Sequence, residues 1–395
     1  MSPRDVVITG MGIVSSLGEG VDAHWQALTA TAPAPVLDRE RFAPYTIHPL
    51  PEIDWSQQIP RRGDQRQMET WQRLGTYAAG LALDDAGMKD DEALCASMDL
   101  VVAAGGGERD EAVDQAILDA SLTRNDHDVL LNEKLTTELR PTLFLAQLSN
   151  LLAGNISIVH KVTGSSRTFM GEEGAGVSTI ETAAARIRAG QSSHVLVGGA
   201  FQTEHSDMLL AYELAGFLHR DDWKPVWERA DSEGGGVVTG SGAAFLVLEA
   251  REHAEKRGRK AYATVGPIVS RRSRRNSEPL ADGIDAMLAQ LPLPEGPLLT
   301  LSGASGAHQA TQAEEEALAK RGTLVARGFS SLTGHMKEAQ FPFAMALAAL
   351  SVWHGKAYPA FDADREQAFE GAPQAVLATA IGYHCFEGMG LVTKA

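Results

Sequence analysis

The fold is best predicted from residues 164–200, GSSRTFMGEEGAGVSTIETAAARIRAGQSSHVLVGGA. They predict a strand, a sharp turn at 171–174, a buried helix and a second strand. The helix is predicted from one apolar face whose members recur at spacings of three, four and three: Val177, Ile180, Ala184 and Ile187. Gly190 stands where helices commonly end on glycine. A turn that leads into a helix N-terminus favours a nucleophile or an anion, and Glu172 and Glu173 occupy it here.

The composition is that of a globular protein. Of the 395 residues, 44% are hydrophobic and 22% charged, and the length suffices for two domains or one duplicated domain. No apolar run approaches the roughly 20 residues of a membrane span, and the N-terminus lacks the pattern of a secretory signal. The two cysteines, Cys95 and Cys385, indicate no disulfide framework, so we expect a reduced, cytoplasmic protein. The net charge of −16 argues against nucleic acid as a partner.

A glycine-punctuated segment near the N-terminus, GMGIVS at 10–15, invites comparison with the dinucleotide-binding fingerprint. Ser15 stands where the third glycine of that fingerprint belongs, and no acidic ribose ligand is evident after the next strand. We therefore predict no nucleotide or other cofactor, and no metal site.

Strands alternate with helices along the chain, which predicts an α/β architecture with mainly parallel sheets. The helix that follows Phe343 is apolar nearly all round, which indicates a middle layer between sheets. Residues 143–153 are also predicted to be largely buried, and residues 31–67 to form an irregular surface excursion. This pattern indicates a large α/β protein, leaves open whether it is duplicated, and indicates no function.

Several segments together resemble the β-ketoacyl-acyl-carrier-protein synthases, the condensing enzymes of fatty-acid and polyketide synthesis. They occur in family order and spacing: VVITGMGIVSSLGEG (6–20), LGTYAAGLALDDAGM (74–88), IETAAARIRAGQSSHVLVGGA (180–200), GSGAAFLVLEAREHAEKRGRKAYATVGP (240–267) and LTGH (332–335). The resemblance implies an α/β, thiolase-like fold with duplicated halves, at 1–250 and 251–395, in a five-layer αβαβα arrangement. It also implies a two-fold dimer and an acyl carrier protein, with its phosphopantetheine arm, as a partner.

In this family a cysteine at the buried helix N-terminus takes the acyl chain as a thioester, and its thiolate is favoured there. The cysteine follows a glycine by nine residues and precedes the helix-ending glycine by seventeen. Counting from Gly164 and from Gly190 gives the same position, Glu173. Glu173 could be a satisfied helix N-terminal carboxylate, an acid or base acting with His335, or a contact to a partner subunit.

The family also uses two histidines to expel CO₂ and to stabilise the enolate, with a lysine in support. The second histidine is retained as His335, and the lysine five residues before it is Ser330. Aligning the acidic helix downstream of LSGASGAHQATQAEEEA (301–317) puts Gly303 at the first histidine position, with His308 five residues later as a substitute. With the family's gate phenylalanine, whose position Tyr383 or His384 takes, four of the five expected functional residues are changed.

The remaining sites at the mouth of the family's acyl tunnel are implied in the same way. The gate loop corresponds to GYHCFEGMG (382–390), so Tyr383 or His384 takes the gate position. Cys385 beside them is either a small buried filler or a nucleophile. Ser305 matches a hydroxyl that contacts pantetheine. A basic run is either a solvated loop or a docking patch for the acidic carrier protein; it contains Arg271, Arg272, Arg274 and Arg275.

The leading hypothesis is a non-condensing subunit that resembles the chain-length factors and pairs with an active synthase, because loss of one member of a catalytic unit removes nearly all activity. A homodimer is the other assembly considered. Two alternatives stay open. The chain is an active 3-oxoacyl synthase or a malonyl decarboxylase that uses Glu173 and His335, although Gly303 speaks against decarboxylation. Or it is a binding module for acyl carrier protein without a catalytic partner.

Overall fold

Short runs rich in Val, Ile, Leu and Ala form one mixed sheet in this computed structural model, which describes residues 4–275 and 279–395. Eleven strands are found in these residues: β1 (Val6–Ser15), β2 (Gly18–Glu19), β3 (Asp99–Ala103), β4 (Ser166–Phe169), β5 (His194–Phe201), β6 (Gly242–Ala250), β7 (Ala263–Arg272), β8 (Leu298–Ser302), β9 (Leu324–Gly328), β10 (Ala375–Ile381) and β11 (Phe386–Thr393).

Helices connect most of these strands. They are α1 (Gly20–Leu28), α2 (Arg62–Gln67), α3 (Thr70–Asp85), α4 (Glu92–Ser97), α5 (Glu111–Ser121), α6 (His127–Thr137), α7 (Leu143–Ala146), α8 (Asn150–His160), α9 (Glu172–Arg188), α10 (Ser206–Leu214), α11 (Arg251–Lys256), α12 (Leu280–Leu288), α13 (His308–Arg321), α14 (Ser330–Thr333) and α15 (Gln340–His354). Among the described helices, none combines the length and the apolar character needed to cross a bilayer.

The strand order repeats in the two halves of the sheet. The first half runs β4-β3-β5-β6-β1 and the second runs β9-β8-β10-β11-β7, with β1 and β7 antiparallel at the centre and β2 paired only with β1 among the described strands. Numbered along the chain, both halves have the order 3-2-4-5-1. The repeat agrees with the duplicated, thiolase-like fold; the exact division at residue 250 stays a prediction.

The expectation of mainly parallel sheets is wrong. Strand β3 runs parallel to β4 and β5, and β8 runs parallel to β9 and β10, but the other neighbours are antiparallel. The physical reason is clearest between β10 and β11. Only residues 382–385 connect them, and so short a connection allows only antiparallel pairing.

Two helices lie between the halves of the sheet. Helix α9 contacts β3 and β5 on one side and β7 and β11 on the other, while α15 contacts β1 and β6 as well as β10 and β11. Helices α3 and α8 cover the outer face of the first half, and α12 and α13 cover that of the second, which completes five layers. Helix α15 is buried from Gln340 to Val352, which confirms the predicted middle layer.

Helix α9 also forms as predicted, with one correction to the turn that precedes it. Its four apolar-face residues are buried, and Gly190 follows it with a φ of 72°. The turn is shorter than 171–174, because the helix already begins at Glu172 after Gly171, whose φ is 112°.

The predicted burial of 143–153 is only partly correct: Phe144 is 71% exposed and Leu145 is exposed too, because this segment packs on the outside of the chain.

Candidate functional site

Glu173 lies at the centre of the candidate site, in the first turn of α9. Its side chain is fully buried, and Oε1 accepts the backbone N–H of Tyr383 at 3.3 Å. Nε2 of His335 lies 3.0 Å from the same oxygen. Free N–H groups and the helix dipole at this end of α9 stabilise a carboxylate. The position that sequence counting assigned to a nucleophile therefore holds a carboxyl group that already has partners.

His335 reaches this position because the chain turns sharply just before it. Gly334 has a φ of 71°, and a Cβ there would lie 2.7 Å from the backbone nitrogen of Gly240, so only glycine fits without movement. The backbone of His335 is then fixed by its N–H, which donates to Val238 at 2.9 Å. Both ring nitrogens are buried without an aligned hydrogen bond, so the ring meets Glu173 as a close polar contact.

The loop between β10 and β11 closes over both glutamates through Tyr383. The Tyr383 hydroxyl donates to Oε1 of Glu172 at 2.8 Å, and its ring packs edge-on against Phe217. Burial raises the pKa of Tyr383, and the carboxylates of Glu172 and Glu173 raise it further. His384 points outward and is 68% exposed. Of the two gate candidates, Tyr383 is the one that contacts the buried site.

Gly303 has no space for a side chain. A Cβ would lie 2.6 Å from the carbonyl oxygen of Thr379 and 3.1 Å from Cγ of Gln340. The Gln340 amide nitrogen donates to the Gly303 carbonyl at 3.2 Å and to Oγ of Ser330 at 2.8 Å. One glutamine thus joins the two positions that the resemblance assigned to a histidine and a lysine. His308 lies apart, with Nε2 3.3 Å from Oγ of Ser232, and borders an open groove of about 290 Å³ next to Tyr383.

Sequence reasoning missed Gln340 and Glu338. Gln340 was signalled by its position, a polar residue at the start of a helix that is otherwise almost wholly apolar. Glu338 is buried near the start of the same helix, and its Oε1 lies 3.8 Å from Nζ of Lys337. Burial raises the pKa of Glu338, and the charges of Glu173 and Glu172 add to the rise. The site is therefore a carboxyl cluster around one histidine, with hydrogen-bonding capacity but no thiol among these groups.

Ser305 does not face the groove. It is fully buried, and its Oγ accepts the N–H of Ala307 at 3.2 Å, which fixes its own loop. The pantetheine contact expected of this hydroxyl stays a prediction, and the side chain has no exposed surface in the single chain.

The basic run divides into surface and buried residues. Arg272 and Arg274 are exposed and border an open groove of about 630 Å³ together with His384 and Cys385. Arg271 is half-buried in β7. Arg275 is only 11% exposed, because it pairs with the buried Glu387 and donates to the carbonyl of Gly382. Arg275 holds the loop after β10 in place, and of the predicted docking residues Arg272 and Arg274 are the most exposed.

Comparison with known proteins agrees with the resemblance seen in the sequence. Residues 3–254 match the family described as "Beta-ketoacyl synthase, N-terminal domain". A 3-oxoacyl-[acyl-carrier-protein] synthase 2 of Vibrio cholerae is 28% identical over 296 residues, 73% of this chain and 68% of the relative. The tetracenomycin polyketide synthase ketoacyl synthase beta subunit of Streptomyces glaucescens is 26% identical over 370 residues, 89% of this chain and 86% of the relative.

Solved structures show the same fold. The ishigamide ketosynthase/chain length factor superposes with a TM-score of 0.81 at 21% identity, and the match covers 100% of both chains. A beta-ketoacyl synthase from Burkholderia phymatum superposes with a TM-score of 0.78 at 19% identity, over 99% of this chain and 100% of that one.

Proposed function

This chain belongs to the beta-ketoacyl synthase family, and we propose that it is a non-condensing, chain-length-factor-like subunit that pairs with an active synthase in fatty-acid or polyketide synthesis. The observation that carries the proposal is Glu173. It occupies the helix N-terminus where the family resemblance puts the acylated cysteine, and it is buried against Tyr383 and His335. A carboxylate is a poor nucleophile toward a thioester. Glu173 therefore stabilises the local structure through these contacts and carries no acyl chain.

The surroundings of Gly303 support the same proposal. Decarboxylation in the family needs two histidines and a supporting lysine, which act as one unit. Here only His335 is present at the matching positions, and the Gln340 amide bridges Gly303 and Ser330. Condensation and decarboxylation would both lack the groups that stabilise the enolate oxyanion.

One face of the chain fits a subunit partner. Strand β4 pairs only with β3 among the described strands, so its outer edge is open. Helix α8 contacts β4. Exposed apolar side chains occur within or just after α5, α7 and α8, and after β4: Leu118, Leu122, Phe144, Leu145, Leu148, Ile158 and Met170. Open strand edges and exposed apolar surface favour association. The Streptomyces glaucescens relative is named a beta subunit, which is consistent with such pairing.

The proposal is tested by assaying the chain alone and with a bona fide synthase from the same cell. We expect no consumption of malonyl carrier protein by the chain alone. With the synthase we expect a stable heterodimer whose products differ in chain length from those of the synthase alone. Malonyl turnover by the chain alone that disappears in Glu173→Ala would overturn the proposal and favour a decarboxylase or a rearranged synthase. Carrier-protein binding without any synthase partner would favour the simple binding module.

Carrier-protein docking gives a separate prediction for Arg272 and Arg274. Replacing both with alanine is expected to weaken binding of the acidic carrier protein about tenfold at low salt, with a smaller loss at high salt, because exposed charges act through screened attraction. Binding is measured by fluorescence titration with labelled carrier protein. The matched control is Arg61→Ala with Arg62→Ala, two exposed arginines in a distant segment. Equal losses in both double variants would show a general charge effect and contradict a docking patch.

A further inference from the structure

A second group of reactive side chains lies on the outside of the candidate site. His384 and Cys385, in the loop between β10 and β11, face Glu172 in the first turn of α9. One potential ligand atom from each of the three residues lies within 4.8 Å of the other two. We propose that Glu172, His384 and Cys385 bind a divalent transition metal of the zinc class, which would fasten this loop to the start of α9.

The donor set fits such a metal. Zinc takes thiolate, imidazole and carboxylate ligands at about 2.0–2.3 Å, and sites with three protein ligands leave a fourth position open. Tetrahedral donors at those bond lengths lie roughly 3.5 Å apart, so closure needs only small side-chain rotations. His384 can make such a rotation because it is largely exposed and its Nδ1 lies 3.8 Å from Oε1 of Glu172.

The surroundings orient the ligands and tolerate the charge. The Tyr383 hydroxyl donates to Oε1 of Glu172, the oxygen that lies 3.8 Å from Nδ1 of His384, and this oxygen keeps a second lone pair for the metal. Outer hydrogen bonds of this kind fix the direction of metal ligands. On binding, the Sγ–H proton of Cys385 passes to solvent. Two positive charges then meet one thiolate and one carboxylate, so the bound site is neutral and Arg272 and Arg274 next to it impose little repulsion.

The other ligand group found in the described residues is less suited to a metal. It consists of Glu111, His205 and Asp207. The two ring nitrogens of His205 are already occupied, by Asp207 at 3.2 Å and by Glu108 at 3.0 Å. These carboxylates raise the pKa of His205 to about 10, so the ring is a cation near neutral pH and offers no lone pair. Both ring nitrogens of His205 therefore have carboxylate partners, and the group forms a cluster of ion pairs without a metal.

Cobalt is the probe, because a cobalt–thiolate bond absorbs light and so reports on the sulfur ligand. The full chain is treated with chelator, desalted and titrated with Co²⁺, then with Zn²⁺. We expect about one Co²⁺ per chain with a thiolate charge-transfer band that Zn²⁺ removes. Cys385→Ser should abolish the band, and His384→Ala and Glu172→Gln should each weaken binding at least about tenfold.

Two controls make the outcome decisive. Cys95→Ala removes the other thiol, which is buried in α4, and His205→Ala disrupts the second group; both variants should keep the band. Thermal unfolding of each apo variant verifies that it is folded. Absence of the band in the wild type, its persistence in Cys385→Ser, or unchanged affinity in both His384→Ala and Glu172→Gln would overturn the proposal. The measurement needs no carrier protein or synthase, so its result is independent of the proposed function.

Discussion

A histidine introduced at position 303 is expected to lower the free energy of unfolding by about 3 kcal/mol or more, without creating decarboxylase activity. The clash begins at the Cβ atom, which would lie 2.6 Å from the carbonyl oxygen of Thr379. That oxygen belongs to β10 and accepts the N–H of Gly303 at 3.0 Å, so it cannot move away without disturbing the sheet. Urea unfolding of Gly303→His, compared with wild type at constant m-value, measures the loss.

Two further variants test where the loss arises. Gly303→Ala should show most of it, because the Cβ alone makes the closest contact. Gly63→Ala is the control: a Cβ there meets open space within helix α2, so stability should stay unchanged or rise by up to about 1 kcal/mol. A Gly303→His chain that unfolds like wild type and consumes malonyl carrier protein would show that the site is one substitution from activity, contrary to our proposal.

Local patterns in the sequence were sufficient to predict the two central helices and their burial. The apolar spacing of α9 and the nearly uniform apolar character of α15 each report burial directly, because a helix that is packed on several sides must be apolar on those sides. The pairing of Glu173 with His335 could not be predicted from local patterns. These residues are 162 positions apart, and their proximity was anticipated only through resemblance to a family whose members place a nucleophile and a histidine there.

Other features depend on contacts that local patterns do not encode. The amide of Gln340 fills the space beside Gly303, 37 residues away. Arg275 belongs to a charge run typical of a solvated loop, yet it pairs with Glu387 across 112 residues. Phe144 was expected to be buried because apolar side chains usually are, but it is 71% exposed, and local hydropathy does not report which apolar side chains stay at the surface. Strand direction, finally, follows from connection lengths that hydropathy does not reveal.

One buried acid, Glu314, should contribute a pH-dependent cost to stability that a single substitution can isolate. Its Oε1 accepts hydroxyl hydrogens from Ser302, at 2.9 Å, and from Thr379, and no cation within residues 4–275 and 279–395 pairs with it. Burial raises the pKa of Glu314 from 4.5 to about 7. The unfolded chain therefore releases this proton at lower pH than the folded chain does. The cost to folding develops as pH rises above about 4.5 and is complete above about 7.

Glu314→Gln should remove this cost, since glutamine keeps the shape and the acceptor oxygen of the neutral acid. Relative to wild type, we expect a gain in the free energy of unfolding of about 2 kcal/mol at pH 6 and about 3 kcal/mol at pH 8. Urea unfolding across this range measures it. The control Glu316→Gln removes a 62% exposed carboxylate from the same helix and should change stability by less than about 0.5 kcal/mol. A pH-independent difference between Glu314→Gln and wild type would mean that Glu314 is ionised throughout, and that a partner compensates its charge.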